Sequence, residues 1–374
     1  MPPLAERNLF HDKVRLAVTL TGIVFAVVLI VVELGLFVGF MKTTSNLIDH
    51  SNADLWVTSI NVPYVEQGVP FSERKLYQVR AIPGVQDAEK YISDWVEWKR
   101  PDGRQETVQI VGMDIDKDMG LPWNLVQGKL GDLKRPDAIF VDEVYKEKLG
   151  ATHIGQIVEI NHRRARIVGF TRGIRAFTTS PYVFTMFKRA QDYARLPENQ
   201  TTYILVKVAP GAEINEVRRE ILAQVKDVQV VTSAEFSHMT QFYWMFTTGA
   251  GIAVLLAAVL GLVVGFVVVA QTIYATTVDH LKEFGTLKAM GAPNSYVYRV
   301  ITRQAAISAV IGYVLGMIVS AFVVHASQGG GAPIELPLPM AIGMFFLTLT
   351  MCIGAGMISI SKVTRLDPAM VFKG

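Results

Sequence analysis

The sequence predicts an α+β membrane protein in which four transmembrane helices carry one large α+β domain inserted between the first and the second. Three observations lead there. Four apolar runs, at about 16–40, 248–272, 300–324 and 339–361, each supply the roughly 20 residues that cross a bilayer core as a helix. Hydrophobic residues make up 51% of the chain and charged ones 18%, below the roughly 25% of soluble domains. Between the first two runs, residues 41–247 turn polar, with Pro and Gly punctuation, and are long enough to bury a core of their own.

Charge orients the chain. Residues 1–15 alternate apolar and basic positions, as in an amphipathic helix on the cytoplasmic face, and Arg7, Lys13 and Arg15 hold the N-terminus inside. Lys282, Lys288, Arg299 and Arg303 mark the 273–299 loop as cytoplasmic, and Lys362, Arg365 and Lys373 do the same for the 362–374 tail. Both termini are then inside, with the 41–247 domain and the short 325–338 loop outside. The first run is too long for a signal peptide and is followed by no small-x-small cleavage site. Glu33 lies inside this run, and two readings stand: an intramembrane functional carboxylate, or a side chain reaching the outer interface.

The outer domain begins and ends alike. Ala53–Ile60 reads as a strand, Phe71–Ala81 as a helix, and Gln86–Trp98 as one or two strands after the Pro83-Gly84 turn. Near the other end, Thr202–Val208 is a strand, Ile214 to Val225 makes a helix face, and Val228–Val231 is a strand. Two strand–helix–strand halves, about 50–104 and 201–235, pair into a ferredoxin-like unit. Residues about 105–200 are then a β-rich inserted subdomain, with strands at Gln109–Met113, Ala138–Val141, Ile157–Ile160 and Arg166–Phe170 and a short helix at Glu143–Leu149. The basic run from His162 to Arg166 suits a solvated hairpin or, alternatively, a contact for a partner or a lipid headgroup.

The stretch 276–299, between the second and third runs, is the most charged in the last third of the chain. Asp279 suits an N-cap and Glu283 the first turns of a short helix. Leu281, Phe284 and Leu287 recur at helical spacing, and Gly291 followed by Pro293 is a stop signal. A polar connector, or an apolar-faced helix docking into a groove on a cytoplasmic partner, both satisfy this pattern.

Several chemistries are missing from the sequence. No G-x-x-x-x-G-K-[ST] occurs, so ATP is not bound by that device, and there is no G-x-S-x-G or H-E-x-x-H. The expected catalytic, cofactor-binding and metal-binding residues are none. A net charge of +3 gives no footprint for nucleic acid. The single cysteine, Cys352, precludes an intrachain disulfide.

The run His280-Leu-Lys-Glu-Phe-Gly-Thr-Leu-Lys-Ala-Met-Gly-Ala292 resembles the coupling-helix signature of the MacB/FtsX/LolCDE-type ABC transporter permeases. Leu366-Asp367-Pro368-Ala369 and Arg7-Asn8-Leu9 resemble that family's motifs at the two ends of the chain. Asp54-Leu55, Arg74 to Tyr77 before Pro83-Gly84-Val85, and Pro136 to Asp142 are similar to DevC-like members, which also lack a fused nucleotide-binding domain. The resemblance implies an inner-membrane permease whose ATP and magnesium sit on a separate ABC ATPase, working as a dimer with a second permease copy. It further implies a HlyD/MacA-like periplasmic adaptor, a TolC-like outer-membrane channel and a membrane lipid or other amphiphile as cargo. Leu281, Lys282, Glu283, Phe284, Gly285, Leu287, Lys288 and Gly291 are the ATPase-coupling residues it implies. An FtsX-like regulator of a periplasmic enzyme, or a LolC/LolE-like lipoprotein extractor, are the alternative roles.

Overall fold

The computed structural model describes residues 12–279, 283, 285–286, 290–330 and 333–364. The chain forms two compact units. One comprises the membrane helices; the other runs from Phe40 to Gly251 and takes in Gln328–Ala332. Helix α1 spans Lys13–Thr44, so the described part of the expected amphipathic segment, from Lys13 to Arg15, already belongs to the first long helix.

After the single turn of α2 (Asn46–Asp49), the domain expected to lie outside, hereafter the outer domain, opens with β1 (Leu55–Thr58). A two-residue strand β2 (Phe71–Ser72), paired with the equally short β10 (Gln200–Thr201), and helix α3 (Lys75–Arg80) occupy the region expected to be all helix, and β3 (Val85–Lys99) follows. At the far end of the domain the motif recurs as β11 (Tyr203–Val208), α6 (Ile214–Gln224) and β12 (Gln229–Thr232). These strands lie in the order β12-β1-β11-β3, with every neighbouring pair antiparallel. This is the ferredoxin-like arrangement. Alternate residues explain its two cores. Leu55, Val57, Ile204 and Val206 face Leu76 and Val79 of α3 and Val217 and Ile221 of α6. Trp56, Tyr91, Tyr203 and Val231 face the other way, against Phe236. A sheet covered on both faces needs apolar residues throughout, and β1 is buried at all four positions.

Strand β3 is shared. Its first half pairs with β11, and Ile92–Lys99 pairs with β4 (Gln105–Met113). The inserted subdomain therefore starts inside β3, ahead of the boundary expected near residue 104. Within it stand β5 (Leu125–Gln127), β6 (Ala138–Asp142), α4 (Lys146–Leu149), β7 (Ile157–Ile160), β8 (Arg163–Thr171), β9 (Tyr182–Met186) and α5 (Phe187–Ala194). β4 pairs with β9, β9 with β6, β6 with β8, β8 with β7, and β7 returns to β3, so the strands close into a ring. Val108, Ile110, Ile139, Val141, Ile167 and Val183 fill one core with Trp98, whose indole nitrogen donates to the Leu149 carbonyl at 3.0 Å. The β7–β8 turn places Asn161 and His162 at φ 46° and 63°, the two-residue geometry that matches strand twist. The basic run is therefore a hairpin, in which Arg164 and Arg166 pair with Asp137.

Beyond β12, helix α7 (Ser233–Phe242) starts on a reciprocal cap. Thr232 Oγ1 accepts from the Glu235 amide at 3.1 Å, and the Glu235 carboxylate accepts from the Thr232 amide at 3.0 Å. Three further long helices follow among the described residues: α8 (Ala250–Asp279), α9 (Asn294–Ser327) and α10 (Leu338–Thr364). Among the described residues four helices, α1 and these three, are long and apolar enough to cross a membrane. Close approach between them is made by small residues, as in other membrane bundles. A Cβ placed on Gly312 would lie 2.5 Å from Ile23, and one on Gly316 would lie 2.8 Å from Val27. Asp279 lies in the helical backbone of α8, where an N-cap was expected.

Candidate functional site

The loop between α8 and α9 carries the sequence-derived coupling residues. Glu283 and Gly285 lie in helical backbone, with Glu283 exposed and Gly285 half-buried. The Met290 amide donates to the Thr286 carbonyl at 3.0 Å, and Gly291 follows at φ +91°. A left-handed glycine directly after this bond is the terminator expected there. Leu281, Lys282, Phe284, Leu287 and Lys288 lie outside the described residues, as do the motifs at residues 7–9 and 366–369.

Glu33 stands eleven residues before the end of α1 at Thr44 and is half-buried. It packs against α8: a Cβ on Gly261 would fall 2.8 Å from its Cγ. The glycine makes room for the carboxyl-bearing side chain between two membrane helices.

A second constellation lies within the outer domain, where its chain joins the helices. The segment after α7, Tyr243–Thr247, is a π turn, in which the Thr248 amide donates to the Tyr243 carbonyl five residues back at 3.2 Å. Its aromatic residues pack against two loops and the end of α1. Tyr243 stacks on Tyr64 with ring centroids 4.1 Å apart, and Trp244 meets Phe177 at 4.4 Å. Phe177 in turn meets Phe40 edge-on at 5.1 Å. Offset and edge-to-face pairs of this kind add specific geometry to ordinary apolar burial.

Glu66 is sealed beneath this cluster. It is 1% exposed, one carboxyl oxygen accepts from Trp244 Nε1 at 3.3 Å, and the other, Oε1, has no partner among the described residues. Burial pushes its pKa up to about 7, opposed only partly by the Trp244 bond and a backbone bond. Asp142, also buried, plays a different part. It accepts from the amides of Val144 at 3.0 Å and Ile174 at 2.7 Å and from the Thr171 hydroxyl at 3.0 Å. Burial raises its pKa while these bonds pull it back. Asp142 thereby fixes the start of the 172–181 loop, which carries Arg175 and Phe177. Apart from Asp142, which closes the 136–142 run quoted above, none of these residues stands out in the sequence. The available signals were the aromatic residues at 64, 177, 243 and 244, spread too far along the chain to be joined without the fold.

Among the described residues no cluster of His, Cys, Asp and Glu could hold a metal ion.

Compared with family models, residues 16–224 match the MacB-like periplasmic core domain, and residues 255–368 match the FtsX-like permease C-terminal domain. An uncharacterized ABC transporter permease of Mycobacterium tuberculosis (strain ATCC 25618 / H37Rv) is 25% identical over 397 residues, covering 99% of each chain. One of Mycobacterium bovis is 23% identical over 393 residues, again covering 99% of both. Among solved structures, the periplasmic region of MacB from Actinobacillus actinomycetemcomitans aligns at 14% identity and a TM-score of 0.40, over 52% of this chain and 94% of that one.

Proposed function

The chain belongs to the ABC transporter permeases that combine a MacB-like periplasmic core domain with an FtsX-like permease domain, and from that premise we propose that it is the force-transmitting subunit of an exporter. A multi-pass permease of an ABC transporter works with an ATPase. The sequence has no phosphate-binding loop of its own, so in this reading ATP and magnesium sit on a separate chain, and this subunit is not itself catalytic. Two copies of the permease receive the closing motion of two ATPases through the α8–α9 loop. They pass it to the outer domains, which change shape on the periplasmic side of the inner membrane, with both termini in the cytoplasm.

Cargo then leaves from the periplasm or the outer leaflet rather than through a channel. The observation that carries this reading is the placement of a charged, glycine-terminated helical segment between two membrane helices, in a chain whose other large part is an outer domain. Four spans with apolar interiors offer little to line a wide polar path. A lipid, glycolipid or other amphiphile is the cargo class that suits it, delivered through a HlyD/MacA-like adaptor and a TolC-like duct. The DevC-like placement within the family rests on the residues quoted above. In this reading Glu283, Phe284, Gly285, Leu287 and Gly291 form the contact with the ATPase, flanked by Leu281, Lys282 and Lys288.

The test is ATP hydrolysis by the reconstituted complex. Glu283→Lys should lower permease-stimulated hydrolysis by about tenfold while leaving assembly intact, because it reverses charge at an exposed contact. Unchanged stimulation at normal assembly removes Glu283 from the contact. Normal coupling without any adaptor, together with a tightly bound periplasmic hydrolase, would favour the FtsX-like regulator.

A further inference from the structure

Arg175 is an unusual residue for its position. It lies in an irregular loop, yet it is 4% exposed, and its Nε has no partner among the described residues. Its remaining nitrogens reach a single residue: Nη2 donates to the backbone carbonyl of Gln328, and Nη1 approaches Gln328 Oε1 at 3.3 Å. Gln328 directly follows Ser327, the last residue of α9, and opens the connection to α10. The first part of that connection, Gln328–Ala332, groups with the outer domain as one compact unit, and the chain from Pro333 onward groups with the membrane helices.

The loop that carries Arg175 is itself held rigidly. Asp142 binds its start through the Ile174 amide at 2.7 Å, Ile174 and Ala176 are fully buried, and Asn46 Nδ2 donates to the Arg175 carbonyl at 3.3 Å. Two residues on, Phe177 packs against Phe40 and Trp244. One loop thus touches the end of α1, the π turn that leads into α8 and the connection from α9 to α10.

We propose that Arg175 is a tie that makes the start of the α9–α10 connection, at Gln328, move as part of the outer domain, and hence a positioning residue in the force path. The physical reason is the cost of a buried charge. A guanidinium removed from water is tolerated only while its hydrogen-bond partners are present, and withdrawing them leaves an uncompensated buried cation. The connection therefore cannot drift from the loop by small degrees. It stays bonded, or Arg175 leaves the core altogether and becomes hydrated. The Gln328 backbone carbonyl is an acceptor that no side-chain substitution deletes, whereas the charge placed beside it can be changed on the exposed side without disturbing the domain core.

The second half of the proposal, that the tie lies in the force path, rests on the exporter reading; the tie itself does not. Full-length permease in lipid nanodiscs carries one spin label at exposed Gly329 and one at exposed Asn215, both introduced through cysteine, and their distance distribution is measured by pulsed electron resonance. Wild-type Arg175 should give one narrow distribution. Arg175→Met and Gln328→Lys, which delete the cation or set a like charge beside it, should each broaden it by about twofold. Gln328→Glu, which adds a matching charge, should leave it narrow. Gln328→Lys changes only the exposed partner, so it reads the tie even if Arg175→Met does not fold.

Distributions of Gln328→Lys and wild type that superimpose would overturn the tie. For the force path, the same variants are assayed with the co-purified ATPase. A permease that stimulates hydrolysis in wild type but not in Gln328→Lys supports the path. Stimulation equal in both, with the broadened distance, overturns the path and keeps the tie. No stimulation by the wild type, with the narrow distance intact, overturns both the exporter reading and the force path that rests on it, and leaves the tie standing.

Discussion

Replacing Glu66 by glutamine removes an ionisable group from a sealed site while keeping its shape and its acceptor for Trp244. The carboxyl is raised from its ordinary 4.5 to about 7 by burial. The native state therefore holds the proton more tightly than the unfolded chain. Below pH 4.5 both states are protonated and the full stability is present. As pH rises toward 7 the unfolded chain loses its proton first, so stability falls across that window and levels off above it. At 1.36 kcal/mol for each unit of pKa, the loss amounts to roughly 3 kcal/mol. Glu66→Gln should match the wild type near pH 4 and exceed it by roughly 3 kcal/mol at pH 8. Urea unfolding of the detergent-solubilised chain at a series of pH values, followed by tryptophan fluorescence, measures the difference. Parallel stability curves for the two proteins between pH 4 and 8 would refute a sealed, poorly partnered carboxyl at residue 66.

Three further outcomes follow from other parts of the molecule. Asp142→Ala strips one acceptor from the Val144 and Ile174 amides and the Thr171 hydroxyl, and should destabilise the outer domain by roughly 3 kcal/mol in the same unfolding assay. Thr232→Ala removes the cap of α7 and should cost about 1 kcal/mol, read as a lower urea midpoint with unchanged slope. Gly312→Leu would drive a side chain into Ile23, where even a Cβ falls at 2.5 Å, and should lower the thermal midpoint of the membrane unit while Gly343→Leu, with open space around it, should not.

Periodicity made the fold legible wherever a segment had one exposed face. Helix α6 shows this, with Val217 and Ile221 buried and polar residues around them, and so do the two strand–helix–strand halves. It failed where neighbours supplied burial on all sides. Strand β9 runs from Tyr182 to Met186 straight into α5 at Phe187 with no turn residue between, so neither element was separable by eye. The sign was available in Ser180-Pro181 before an aromatic and β-branched run. Helix α7 was also missed, although Thr232 and Glu235 spell a capping box. The loop pairing of Arg175 with Gln328 spans 153 residues and depends on how two irregular segments fold, which no local pattern encodes. Glu66 was invisible for the same reason: its hydrogen-bond partner, Trp244, lies 178 residues away.

The central claim is that this permease transmits force from an ATPase on another chain. Tagged permease is isolated from detergent-solubilised membranes and the bound subunits are identified, with ATP hydrolysis measured on the isolated complex. The account predicts an ABC ATPase in stoichiometric amount, hydrolysing ATP faster with the permease than alone, and a periplasmic adaptor alongside it. Recovery of the permease with no ATPase would contradict it.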